Sequence, residues 1–118
     1  MMMFINVKPS DRVQKYDIKI RFRNHPRSLS LIASINFSRG FLSKEIKSER
    51  FSIFVDDQDP SKILLKPSTD KLHSHKLTKN ESGGVIQFTY RFPLKNIKPY
   101  ETKEVEWKIN NSDILIQI

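Results

Sequence analysis

Val85-Ile86-Gln87-Phe88-Thr89-Tyr90-Arg91-Phe92 alternates apolar with polar side chains, the period of a β-strand with one buried face and one wet face. A Pro93-Leu94-Lys95-Asn96-Ile97 loop follows, and Val105, Trp107 and Ile109 then alternate with Glu104, Glu106 and Lys108. A polar Asn110-Asn111-Ser112-Asp113 turn leads into Ile114, Ile116 and Ile118. The first half runs in the same order. Leu31, Ala33, Ile35 and Phe37 alternate, Phe41-Leu42 lies in a loop, Phe51, Ile53 and Val55 alternate, and an Asp56-Asp57-Gln58-Asp59-Pro60 turn precedes Ile63 and Leu65. A slide of about fifty-four residues lays one half on the other, and repeats of this length mark supersecondary units that cannot bury an apolar face alone. The expected fold is mainly β: a small single-domain barrel of two interleaved, similar β-hairpin units with one or two short helical turns.

The chain has 118 residues, the size of one domain with a core of its own. Residues 1–14 read as an N-terminal arm, 15–67 as the first half, 68–84 as a polar connecting loop and 85–118 as the second half. Tyr16 to Arg23 is the sharpest strand of the first quarter, with Ile18, Ile20 and Phe22 on one face and Lys19, Arg21 and Arg23 on the other. Ser43 to Glu49 is the best helical stretch, with Ser43 as its cap. The Lys- and Ser-rich stretch from Pro67 to Gly84 offers almost nothing to bury and is expected to be mobile. Seven strands result.

Cysteine is absent, which excludes disulfides, thiol nucleophiles and cysteine-ligated metals. No apolar run approaches the ~20 residues of a membrane helix. The Met1-Met2-Met3-Phe4-Ile5 start lacks the basic leader and full apolar region of a signal peptide. A cytoplasmic protein without membrane contact is expected. No glycine-rich phosphate loop, nucleophile elbow or His-Glu-x-x-His motif occurs, so neither catalysis nor a cofactor is expected. His73-Ser74-His75 supplies too few ligands for a metal. Asp56-Asp57-Gln58-Asp59 lacks the central glycine and distal glutamate of a calcium loop, and turn chemistry explains it better.

Charge is distributed unevenly. Residues 1–50 carry eleven Lys/Arg against four Asp/Glu, a net of +7, while residues 51–118 carry ten against nine, a net of +1. A basic surface of this kind suits a polyanion, most often nucleic acid, although a solvated strand or loop accounts for any one of these cations taken singly. Lys19, Arg21 and Arg23, extended by Arg27, form the leading phosphate-contacting candidate. Cations two residues apart on a strand lie ~6.6–6.8 Å from one another, the scale of adjacent phosphates. Arg39, Lys44, Lys47 and Arg50 follow in the first inter-strand loop, and Arg91, Lys95 and Lys98 take the matching place in the second half. Tyr100 and Phe41, in loops, are the aromatics freest to stack on a base or a partner. Trp107, Phe88, Tyr90 and Phe92 alternate with polar residues and belong to the core.

The run Arg91-Phe92-Pro93-Leu94-Lys95-Asn96-Ile97, then Glu104-Val105-Glu106-Trp107-Lys108-Ile109, a polar turn and Ile114-Leu115-Ile116-Gln117 resembles the AbrB/MazE family of swapped-hairpin barrels. The resemblance covers about residues 29–67 and 84–118. The Gly-Asp pair that members often carry before the third strand is replaced by Pro99-Tyr100-Glu101-Thr102 and by Lys47-Ser48-Glu49. The resemblance implies a barrel of two interleaved halves, here closing within a monomer or as a homodimer, whose basic inter-strand loops face DNA or a toxin partner.

The expected function is therefore a small basic DNA-binding protein, a transcriptional regulator among the options, that grips the backbone through a basic strand face and paired loops. DNA is favoured over RNA, and Arg39 or Arg91 would reach base edges. The alternative is a phage or mobile-element protein-interaction module that inhibits a host nucleic-acid-targeting defence complex by binding the nucleoprotein. An antitoxin or assembly subunit is a weaker third reading.

Overall fold

The computed structural model describes residues 16–94 and 97–118. Alternation becomes strand wherever it is long enough. In chain order the elements are β1 (Ile18–Asn24), β2 (Leu31–Ser38), α1 (Arg39–Glu45), β3 (Arg50–Val55), β4 (Lys62–Pro67), β5 (His75–Lys76), β6 (Thr78–Asn80), β7 (Gly83–Tyr90), β8 (Thr102–Glu104), β9 (Glu106–Asn110) and β10 (Asp113–Gln117). The protein is mainly β, with one short helix and two five-stranded antiparallel sheets.

The first sheet has the order β6-β7-β2-β1-β8, and the second has β5-β3-β4-β10-β9. At the centre of each sheet a strand of one half pairs with its counterpart in the other. β2 lies against β7, with Ile35 opposite Ile86, and β4 lies against β10, with Leu65 opposite Ile114. The halves therefore interleave, as the repeat predicts. Each half sends two strands to the first sheet, β1 and β2 or β7 and β8, and a hairpin to the second, β3–β4 or β9–β10, so neither has a complete core by itself. The inward side chains of both sheets form one cluster, in which Phe22, Phe37 and Phe51 are fully buried beside Ile18, Ile20, Ile35, Ile63, Leu65, Ile86, Ile114 and Ile116. Each such side chain contributes about 1.5–3 kcal/mol relative to exposure.

Strands pass from one sheet to the other at both edges. β5 pairs with β3 in the second sheet, and after Leu77 the chain continues as β6 against β7 in the first. β8 pairs with β1, and after Val105 the chain continues as β9 against β10. Both switch residues are tied by main-chain bonds: Leu77 N–H donates to Glu49 O at 2.8 Å and Val105 N–H donates to Ile18 O at 3.1 Å. The Asn110–Asp113 hairpin holds Asn111 at φ 52° and Ser112 at φ 74°, the pair of positive values of a tight type I′ turn.

Three expectations are corrected. The structure contains ten strands among the described residues, because β5, β6 and β8 are too short to show alternation. The connection after Pro67 supplies two of them and buries Leu77 at 4% exposure, so it has an anchor. The helix spans Arg39–Glu45, not 43–49, and its cap is Ser38, whose Oγ accepts the Phe41 N–H at 3.1 Å. Starting there turns Phe41 and Leu42 into the core, which a cap at Ser43 would not.

Candidate nucleic-acid interface

β1 lies between β2 and β8, with Ile18, Ile20 and Phe22 buried and Lys19, Arg21 and Arg23 on the outer face of the first sheet. Residues opposite one another in register share a face. One outer row is thus Glu104, Lys19, Asn36 and Val85; the next is Thr102, Arg21, Ser34 and Gln87; the third is Arg23, Ile32 and Thr89. Gln87 Nε2 donates to Ser34 Oγ at 3.1 Å. Apart from the stripe and Glu104, the strand residues in these rows carry no charge.

The three cations differ. Lys19 is half-buried, lies opposite Glu104, and has Nζ 4.2 Å from the Tyr16 ring centroid. Arg21 and Arg23 are exposed, and neither makes an ion pair among the described residues. Beside Arg21 stands Tyr100, with its ring centroid 5.8 Å from the guanidinium carbon. Tyr100 N–H donates to Phe22 O at 2.6 Å, which fixes the loop before β8 against the edge of β1.

The remaining candidates divide between the two ends of the sheet. Arg23 and Arg27 lie where β1 turns toward β2, and Arg91 follows Tyr90, which pairs with Leu31 at the same end. Lys98 closes the Tyr100 turn, its carbonyl accepting the Glu101 N–H at 3.1 Å. Arg39, Lys44 and Lys47 leave from the other end, where Ser38 pairs with Gly83. Because β2 and β7 are antiparallel strands of eight residues, the loops that follow them are separated by roughly 23 Å. The loops matched in sequence do not adjoin, and Arg39 and Arg91 stand at opposite ends. The Arg39 guanidinium also donates to Glu81 O. Lys95 lies outside the described residues.

Arg50 is tied into the fold. Its Nε donates to Ser74 Oγ at 2.9 Å, and its Nη2 donates to Ser74 O at 3.1 Å and Lys71 O at 3.4 Å. With Ser52 Oγ donating to His73 O at 2.9 Å, it clamps the segment before β5 onto β3. Arg50→Ala is expected to cost about 1–3 kcal/mol in urea denaturation, because three partners lose a charged donor. Cleavage by a lysine-specific protease at Lys71 should accelerate; unchanged cleavage would show that the clamp is slack.

Phe41 is not free to stack, contrary to expectation. It is 4% exposed, packed edge-on against Trp107 at 4.8 Å and stacked on Phe37 at 5.7 Å. Among the described residues no three His, Asp or Glu side chains come together as a metal site. His73 Nδ1 lies 2.7 Å from Asp70 Oδ2, and this hydrogen bond holds the Asp70 carboxyl below the usual range. The Tyr90 hydroxyl donates to Pro60 O at 2.9 Å, and burial pushes its pKa up. Asp56 Oδ1 accepts the Gln58 N–H at 2.9 Å, as in a turn. No helix among the described residues is long and apolar enough to cross a membrane.

A second surface escaped the alternation argument. On the outer face of the second sheet, Phe54, Leu64, Leu115 and Lys108 fall in one cross-strand row. Phe54 is 52% exposed and Leu115 is 40% exposed. Its signal was present as breaks in alternation, since Ile53-Phe54-Val55, Ile63-Leu64-Leu65 and Ile114-Leu115-Ile116 place an apolar residue in the outward slot. Lys62, Lys66, Glu106 and Asp113 surround the row, and Lys66 Nζ lies 3.9 Å from Asp113 Oδ2.

No protein-family model, curated protein or solved structure matches this chain.

Proposed function

We propose that the chain binds nucleic acid, DNA in preference to RNA, by laying the phosphate backbone along the outer face of the first sheet. One observation carries this reading: β1 presents Arg21 and Arg23 outward, without an ion pair among the described residues, on a face otherwise made mostly of uncharged polar side chains. Arg27 and Arg91 continue the cationic path past the end of the strands. The AbrB/MazE-like order of each half supports DNA as the partner. A backbone grip needs neither Arg39 nor Arg91 at a base edge, and their separation argues against both reading one short site. Retention on immobilised DNA should fall steeply between low and moderate salt. Absence of binding to any DNA or RNA at low salt would refute the reading.

A second reading, contact with a protein, is favoured by the apolar row Phe54–Leu64–Leu115. Its rim holds both signs, with Lys62, Lys66 and Lys108 near Glu106 and Asp113. That pattern is self-complementary, which suits a second copy of the chain. Light scattering over rising concentration should then show a dimer that Leu115→Asp converts to monomer. A monomer at every concentration would refute this second reading and leave the first untouched.

A further inference from the structure

We infer that the nucleic acid taken by the first sheet is single-stranded, with a base stacked on Tyr100 and its phosphates on Arg21 and Arg23; this rests on the backbone-binding reading and names its ligand. Tyr100 has φ 68°, a region where any side chain meets steric cost and where glycine is the ordinary occupant. The conformation is held by the bond to Phe22 O at 2.6 Å, by Glu101 N–H donating to Lys98 O at 3.1 Å, and by the Glu101 carboxylate accepting the Lys98 N–H at 3.3 Å. Core packing does not repay this cost, because the side chain is 56% exposed. Strained residues held in place by their surroundings concentrate at binding sites. Here the strain holds a flat aromatic ring beside the basic stripe.

The geometry favours a single strand over a duplex. The Arg21 guanidinium approaches the Tyr100 ring, and the exposed remainder of the ring is open to a base. Arg21 and Arg23 are two residues apart along an extended strand, ~6.6–6.8 Å, which suits successive phosphates of an extended chain. The outer side chains of β2 and β7 (Asn36, Ser34, Gln87 and Thr89) are short or of moderate length and lie on a sheet. Reading a major groove takes a helix or β-ribbon that enters it. Among the described residues the one helix, α1, begins where β2 ends, far from Tyr100. Sheets that bear cations and aromatic rings bind unstacked single strands, with sequence-tolerant stacking.

The test is fluorescence anisotropy with a labelled fifteen-nucleotide oligothymidine and a mixed-sequence duplex of the same length, using the full chain at low salt. The single strand should bind more tightly. Tyr100→Gly removes the ring while relieving the backbone, so folding is retained; it should weaken single-strand binding by roughly five- to hundredfold and leave duplex binding unchanged. Tyr100→Phe should keep the single-strand affinity. If the duplex binds as tightly or more tightly, or if Tyr100→Gly binds the single strand like the parent, the inference fails. The backbone-binding reading survives that failure whenever neutralising Arg21 and Arg23 still weakens binding. If neither probe binds, both fall together.

Discussion

Gly83→Ala is expected to destabilise the chain by about 3 kcal/mol or more, from backbone strain and overpacking acting together. Gly83 is buried at the start of β7 with φ 140°, a conformation L side chains rarely adopt. It pairs with Ser38 at the end of β2 and with Asn80 on β6. A Cβ built there points directly onto the Phe37 carbonyl oxygen and lies 3.1 Å from Arg39 N. Both are backbone atoms at the junction of β2 and α1, so relief requires the central strand pair of the first sheet to separate. Gly40→Ala is the control of opposite sign. No atom lies within 4 Å of its added Cβ, and removing a glycine from a helix is worth about 0.5–1 kcal/mol. Urea denaturation of the two variants should therefore move in opposite directions. Equal midpoints would show that β7 does not approach β2 as closely as described.

Replacing Lys19, Arg21 and Arg23 together by Gln should lower nucleic-acid affinity by roughly two orders of magnitude at 0.1 M salt, and flatten the dependence of log K on log salt by about 2–3 units. The reason is counterion release: each phosphate neutralised on β1 frees cations condensed on the polyanion, and three outward cations set the size of the effect. Glu104 opposes Lys19 across the β1·β8 pair, so Glu104→Gln should raise affinity without changing the fold. The triple variant should lose no more than about 1–2 kcal/mol in urea denaturation, since Arg21 and Arg23 make no ion pair among the described residues and the contacts removed are those of Lys19 with the Tyr16 ring and of Arg21 with the Tyr100 ring. A parent protein whose binding ignores salt, or a triple variant with an unchanged slope, would place the contact elsewhere.

Much of this architecture was legible in the chain. Seven long strands, the two hairpin turns and the division of β1 into Ile18-Ile20-Phe22 and Lys19-Arg21-Arg23 follow from alternation, and the structure has them. The errors have physical sources. β5, β6 and β8 are two or three residues long, and they exist because an edge strand lies ready to pair with them. Leu77 is the buried apolar residue of its segment, and one such residue among polar neighbours makes no period. Ser38 and Ser43 are both acceptable caps, and the choice between them is made by the pocket that takes Phe41 against Trp107.

The same divide separates the parts of the candidate site. Which side chains of a strand face water is a local matter, because successive side chains alternate whatever the strand pairs with, so the outward stripe on β1 was determined by sequence alone. Which cations become neighbours is a matter of pairing between distant segments. Antiparallel contact of β2 with β7 sends the two basic loops to opposite ends, folding of the segment before β5 draws Arg50 into a clamp, and the bond from Tyr100 to Phe22 sets a ring beside Arg21. Those arrangements depend on registers between residues far apart in the chain, and only the tertiary structure decided them.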